Sequence, residues 1–203
     1  MLTVKQKITK RTFDILMAII GISLFWWLIL LLIIISSIDT KSIGILLQSR
    51  IGLHGKKFNI YKIRTMRSDS KIEGSYLAIH NEHRITKIGS ALRKWKLDEL
   101  PQLINVFLGS MSFVGPRPDV AGFADKLSEE DKIILSVKPG ITGPASIYFQ
   151  QEEKILAQKI APEEYNRNII WAKKIELNKE YVKSYSFAKD IKYIFQTLIS
   201  FVV

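Results

Sequence analysis

The chain has 203 residues, a formal net charge of +11 and no cysteine. That length suits one compact domain with an appendage, and the missing thiols exclude disulfides and thiolate metal sites. Three scattered histidines, His54, His80 and His83, make no histidine-rich zinc site, while a basic surface of this size attracts phosphates in nucleic acid, anionic lipid or a nucleotide.

The first element in chain order is an apolar run, Ile15 to Ile38, without a charged residue. At about 1.5 Å per helical residue it is long enough to cross a hydrocarbon core of roughly 30 Å. It is too long for a removed signal peptide and lacks a small-residue cleavage site, so it reads as a retained anchor. Lys5, Lys7, Lys10 and Arg11 precede it, and Lys41 and Arg50 follow; neither Asp nor Glu occurs between Asp39 and Asp69. Most of these cations read as a solvated surface that holds anionic headgroups. Basic flanks on both sides favour a segment that enters and leaves on the cytoplasmic face, over a simple spanning helix with its N-terminus outside, which the length also allows. No proline occurs before Pro101, so the bend is assigned to Gly21 and Ser23, since glycine and serine pairs kink helices. Residues 1–40 are thus expected to form a re-entrant helix hairpin, and residues 41–203 a cytoplasmic catalytic domain.

After the anchor, Gly44 to Gln48 is a short apolar strand, Gly52 and Gly55 mark a turn, and Phe58 to Arg64 alternates apolar with polar residues. Together they read as a β-hairpin. Ser68 to Arg84 is polar and reads as a loop with helical pieces. From Ser90, apolar residues recur at helical spacing: Leu97, Leu100, Leu103, Ile104 and Phe107. Pro101 is tolerated only in a first helical turn, which places a helix start at Asp98, with Asp98 at or near the N-cap; Gly109 ends that helix. Ser112–Pro118 and Gly140–Pro144 are stiff loops, and Leu127–Val137 and Glu163–Glu180 are helix candidates. The tail from Phe187 is amphipathic and suits either a membrane surface or a core-packed terminal helix. The expected class is α/β, mostly helical with a small β-hairpin, a re-entrant membrane helix and amphipathic interfacial helices.

Adjacent carboxylates are common on solvated helices, so Asp98-Glu99 means little alone. Context changes that. The pair lies at a predicted helix start, where unpaired N–H groups favour anions. Arg93 is near, and Arg117 stands between Pro116 and Pro118, where it loses little further backbone entropy on ordering a ligand. Magnesium chooses oxygen ligands and could bridge a carboxylate and a diphosphate; arginine forks suit phosphate oxygens; and a carboxylate can itself accept a phosphoryl group. Lys62 and Arg64, at a strand end, either form a solvated edge or face phosphate. The combination suits phosphoryl transfer.

Several long segments, in order, resemble the bacterial sugar transferase family, the monotopic polyprenyl-phosphate phosphoglycosyl transferases. They are residues 10–14 (KRTFD), 48–52 (QSRIG), 58–66 (FNIYKIRTM), Leu92-Arg93, 97–106 (LDELPQLINV), 109–118 (GSMSFVGPRP) and 138–143 (KPGITG). The resemblance covers nearly the whole chain. It departs in two places: Trp26-Trp27 stand where the family carries a Ser-Pro pair, and Pro144-Ala145-Ser146 where it commonly has Trp-Ala-Gln.

The resemblance implies that Asp98 is the nucleophile that attacks the β-phosphate of a UDP-sugar and releases UMP. It implies that Glu99 helps hold Mg2+, that Arg93 contacts phosphate, that Arg117 lies in the nucleotide pocket and that Lys62 joins the basic cluster. The phosphosugar then passes to polyprenyl (undecaprenyl) phosphate at the bacterial inner membrane, with the catalytic domain facing the cytoplasm. A non-catalytic, membrane-anchored basic module that binds lipid or a partner protein explains the charge and the anchor, but not Asp98-Glu99 or Gly115–Pro118. A nucleic-acid binder is disfavoured because the basic stretch lacks aromatic interleaving.

Overall fold

The computed structural model describes residues 2–67 and 83–200; the expected polar loop, Ser68 to Arg84, lies outside them except for its last two residues. Helix α1, Val4–Thr40, is followed by an antiparallel hairpin of β1 (Ile45–Ile51) and β2 (Lys57–Ile63). The alternation read from Phe58 onward is this hairpin, with Arg50 opposite Phe58 and Ile45 opposite Ile63. Then come α2 (Lys87–Lys94), a tight turn at Leu97–Glu99, and α3 (Gln102–Leu108).

Strands β3 (Ser112–Val114) and β4 (Gly140–Thr142) pair in parallel. The two expected stiff loops are therefore partners, and glycine allows it. A side chain on Gly140 would lie 2.1 Å from the Gly115 nitrogen, and one on Gly115 would lie 2.4 Å from the Lys138 carbonyl oxygen, closer than any carbon tolerates. The expected Leu127–Val137 helix is instead a 3-10 segment, Asp131–Ser136. Short helices α4 (Pro144–Tyr148), α5 (Glu152–Ala157) and α6 (Pro162–Tyr165) follow. Helix α6 continues through a π-helical turn at Asn166–Ile170 into α7 (Trp171–Lys183), which matches the expected Glu163–Glu180 helix. The chain closes with α8, Phe187–Ile199.

Helix α1 is long and apolar enough to cross a membrane, yet only 17% of its most apolar window is buried. One face is packed along most of its length. Near the start, Lys10 pairs with Asp190 of α8 at 2.6 Å, Arg11 donates to the Val106 and Phe107 carbonyls, and Asp14 accepts from Ser112 Oγ and the Phe113 N–H. Midway, Leu32 packs with Ile63 and Leu92. Near the end, Ser36 donates to the Arg64 carbonyl at 2.5 Å. On the opposite face Leu16, Ile20, Leu24, Trp27, Leu31, Ile34 and Ile38 recur at three and four residues and are exposed. The helix keeps helical geometry through Gly21 and Ser23, the residues expected to bend it. Gly21 has another use: a side chain there would lie 3.1 Å from Leu103 of α3, so the missing Cβ lets two helices approach.

The N-terminal basic flank also divides. Lys5 and Lys7 are exposed, but Lys10, expected among the headgroup-binding cations, is buried against Asp190.

Candidate active site

Asp98 and Glu99 lie in the Leu97–Glu99 turn, not at the start of a long helix. Proline explains the difference. Pro101 has no N–H to donate four residues back, so the turn closes with three-residue steps, Leu100 N–H to the Leu97 carbonyl. Helix α3 then begins at Gln102, with Pro101 at its N-cap. Asp98 caps nothing; the expected N-cap is corrected to a place inside the turn. Lys96, just before it, has φ 53°, a left-handed conformation that costs a non-glycine residue roughly 1 kcal/mol. Leu97 and Leu100, which flank the carboxylates, pack on the Leu32–Ile63–Leu92 cluster beside Leu28 and Ile33 of α1. The acidic turn is thereby seated on the apolar helix.

Three of the expected residues converge here with Asp98. Lys62 Nζ lies 3.3 Å from Asp98 Oδ2 and 3.2 Å from Glu99 Oε1. Arg117 grips Glu99 from the other side, with Nη2 2.5 Å from Oε1 and Nη1 3.4 Å from Oε2. Both carboxylates are buried, Asp98 to 5% exposure and Glu99 to 8%. Asp98 Oδ1 is buried and has no hydrogen-bond partner.

The electrostatics separate the two acids. Burial pushes the Asp98 carboxyl up; Lys62 pulls it down, and the Glu99 charge adds to the rise. Burial also pushes Glu99 up, but Arg117 and Lys62 outweigh it and hold Glu99 well below the usual carboxylate range. One carboxylate is neutralised by its cations, while its neighbour keeps an unpartnered oxygen.

Two expected residues are engaged elsewhere. Arg93 forms an ion pair with Glu153 of α5. Arg64 donates through Nε to the Ile43 carbonyl, and its own carbonyl accepts from Ser36, so it ties the hairpin to the end of α1.

The sequence reading assigned no role to the residues that aim these side chains. Asn105 Oδ1 accepts from the Tyr61 N–H at 3.0 Å, and its Nδ2 donates to the Asn59 carbonyl at 2.8 Å. This clamps β2 to α3 and sets Lys62 against Asp98. A polar residue inside the apolar stretch of α3 was the available signal. The Gly115–Gly140 approach does the same for Arg117: Gly140 N–H donates to the Pro116 carbonyl at 2.9 Å, just ahead of the arginine.

Comparison with known proteins decides the family. The model of the bacterial sugar transferase family matches residues 5–203. The chain belongs to the bacterial sugar transferase family. Among its members, a UDP-N-acetylgalactosamine-undecaprenyl-phosphate N-acetylgalactosaminephosphotransferase of Aeromonas hydrophila is 33% identical over 192 residues, 93% of this chain and 42% of the relative. EpsL of Bacillus subtilis strain 168, an uncharacterised sugar transferase, is 38% identical over 94% of this chain and 86% of its own length. A UDP-glucose:undecaprenyl-phosphate glucose-1-phosphate transferase of Escherichia coli K12 is 32% identical over 95% of this chain and 40% of the relative. The chain thus spans less than half of the two relatives with named activities and most of the shorter one. All three match more than nine-tenths of this chain.

Proposed function

We propose that this chain transfers a sugar-1-phosphate from a UDP-sugar to a membrane polyprenyl phosphate, releasing UMP through a covalent phosphosugar on Asp98. The observation that carries this reading is Asp98 Oδ1, a buried carboxylate oxygen without a partner beside Lys62 and the Glu99–Arg117 pair. A desolvated, unpartnered carboxylate oxygen is a stronger nucleophile than a solvated one.

The residues divide the work. An Asp98 oxygen attacks the β-phosphorus and forms an O–P bond. The bond from that phosphorus to the bridging oxygen breaks, and the electron pair leaves with UMP. An oxygen of polyprenyl phosphate then attacks the same phosphorus, which frees the Asp98 carboxylate and yields the diphosphate-linked sugar. Lys62 and Arg117 stabilise charge on the transferring and leaving phosphates. The turn's seat on α1 supports a reaction near the lipid acceptor. The catalytic domain, residues 41–203, works at the cytoplasmic face of the bacterial inner membrane, where UDP-sugars are found. The reaction is the first membrane step of glycan assembly.

The site also fits a divalent cation. Among the described residues Glu99 Oε2 meets only Arg117 Nη1, at 3.4 Å, so an oxygen-seeking ion has a carboxylate oxygen to take. No group of three or more acidic or histidine side chains among the described residues could hold a metal unaided. That suits Mg2+, which one or two carboxylates hold together with substrate phosphates. Glu99 is its assigned protein ligand, and the bound ion would neutralise diphosphate charge.

The test uses the purified full chain with undecaprenyl phosphate, Mg2+ and a panel of UDP-sugars. UMP release is expected with one or a few of them. Without acceptor, intact-mass analysis should show a phosphosugar adduct on the wild type and none on Asp98→Asn. Near-normal turnover by Asp98→Asn overturns the covalent mechanism, and full activity in excess chelator overturns the metal requirement.

A further inference from the structure

Between the hairpin, the start of α3 and the Pro116–Pro118 loop lies a cavity of about 20 Å³, lined by Arg50, Ile60, Gln102, Arg117 and Pro118. That is room for one water-sized group. It excludes a nucleobase or a sugar ring.

The lining is rich in unused donors. Arg50 Nε is buried with no hydrogen-bond partner, while Nη2 is taken by Gln48 Oε1 at 2.6 Å. Among the described residues Arg50 forms no salt bridge. Gln102 is 2% exposed, and its side chain makes no hydrogen bond among the described residues. Arg117 uses two of its donors on Glu99, and a guanidinium carries five.

Two arginines therefore line one small hole. A buried donor without an acceptor is costly. Burial, and then Arg117, pull the Arg50 guanidinium down, against the Asp119 and Glu99 carboxylates, which push it up. An anionic oxygen would supply an acceptor for the unused donors of Arg50 and Gln102.

We propose that Arg50 and Gln102, together with Arg117, seat a phosphate oxygen of the nucleotide that leaves the reaction. The assignment of that phosphate rests on the function proposed above. Arg117 reaches Glu99, and Lys62 bridges Glu99 and Asp98 Oδ2, so the cavity lies at the far end of a chain of charges that begins at the Asp98 carboxylate. As the bond from the β-phosphorus to the bridging oxygen breaks, negative charge moves onto the departing monophosphate. A donor set beyond Glu99 receives it there.

The experiment reads binding, so it needs no turnover. Purified full-length wild type, Arg50→Met and Gln102→Leu, each matched in thermal stability before use, are titrated calorimetrically with UMP and with uridine. The wild type is expected to bind UMP more tightly than uridine. Arg50→Met should weaken UMP binding about tenfold or more, as loss of a charge-assisted hydrogen bond does, and Gln102→Leu should weaken it severalfold, with little change for uridine. Arg50→Lys should recover part of the loss. UMP binding unchanged in both Arg50→Met and Gln102→Leu, or an equal loss for uridine, overturns the assignment even if UMP is a product. Selective loss of UMP binding, in a protein that releases no UMP from any UDP-sugar, upholds the anion seat and overturns the proposed reaction instead.

Discussion

Asp98 has a cost that its chemistry explains. Burial raises its carboxyl above the ordinary aspartate value, so the native protein keeps this proton at pH values where the unfolded chain has released it. The sign follows: as pH rises from the ordinary value through the raised one, Asp98 takes stability away. Glu99 behaves oppositely. Its carboxyl is held low against burial by Arg117 and Lys62, so its contribution is present above the ordinary glutamate value and is lost as pH falls through the depressed one. Asp98→Asn keeps the shape and removes the desolvated charge. In chelator and without nucleotide, its melting temperature should exceed that of the wild type at pH 7, and the gap should close toward pH 4. Turnover should fall by roughly 10³-fold or more, since loss of a nucleophile is rarely compensated. A melting temperature at or below the wild-type value at pH 7 would show that Lys62 repays the burial of this charge. The residue scale also shows what a sequence makes legible. Asp98, Glu99, Lys62 and Arg117 stand out because charged residues between prolines and at element ends have few structural duties. That Arg93 pairs with Glu153, and Arg64 with the Ile43 carbonyl, cannot be read from spacing, because those partners are set by how distant elements pack.

At the scale of elements, the hairpin was legible because seven residues of alternation carry a period, and the helix from Glu163 because its pattern is long. Strands β3 and β4 were not: three residues hold no period, and their partnership is set by glycines that admit close approach. The KRTFD segment shows the same limit. It read as a basic flank of the membrane run, yet it is the clamp that fastens α1 to α8, β3 and α3. The centre of that clamp is Asp190, which accepts from Lys10 at 2.6 Å, Tyr181 at 2.7 Å and Tyr185 at 3.2 Å. Because the Lys10 and Asp190 side chains are 9% and 2% exposed, Asp190→Ala strands a buried cation, and chemical denaturation should show a loss of about 3–5 kcal/mol. A loss under 1 kcal/mol would mean that water reaches Lys10. Helix α5 is held more lightly, by the Arg93–Glu153 and Lys174–Glu152 pairs. If Arg93 serves the substrate phosphates, Glu153 competes for it. An exposed pair is worth roughly 0.2–1 kcal/mol, so Glu153→Gln should lower KM for the UDP-sugar by no more than about fivefold, with kcat little changed. A raised KM would show that α5 must stay latched for binding.

For the whole molecule, the question is how a helix apolar enough to span a membrane belongs to an enzyme with one globular body. The basic flanks argued for a segment that enters and leaves on one side, but Lys10 is consumed by Asp190, which weakens that reasoning. Packing supplies a better one. Lys10 and Ser36 both bond to the same body, and the 26 helical steps from one to the other rise roughly 39 Å. A helix crossing a hydrocarbon core of about 30 Å would put those two contacts on opposite sides of the bilayer, and the body that makes both would have to lie inside it. That body presents Lys62, Arg117 and a buried acidic turn, which belong near water. Helix α1 instead turns one face to the body and leaves the other, Leu16 through Ile38, exposed, an apolar face suited to lipid. Both of its ends are therefore predicted to lie on the same side of the membrane. The absence of cysteine makes this directly testable. Single cysteines at Val4, which is exposed and uncharged, and separately at Ser42 are probed with a membrane-impermeant thiol reagent in intact cells and again after lysis. Both should label only after lysis. Labelling of the Val4→Cys protein in intact cells would mean that α1 crosses the bilayer. The contacts of Lys10 with Asp190 and of Asp14 with Ser112 could not then form in the membrane-bound protein.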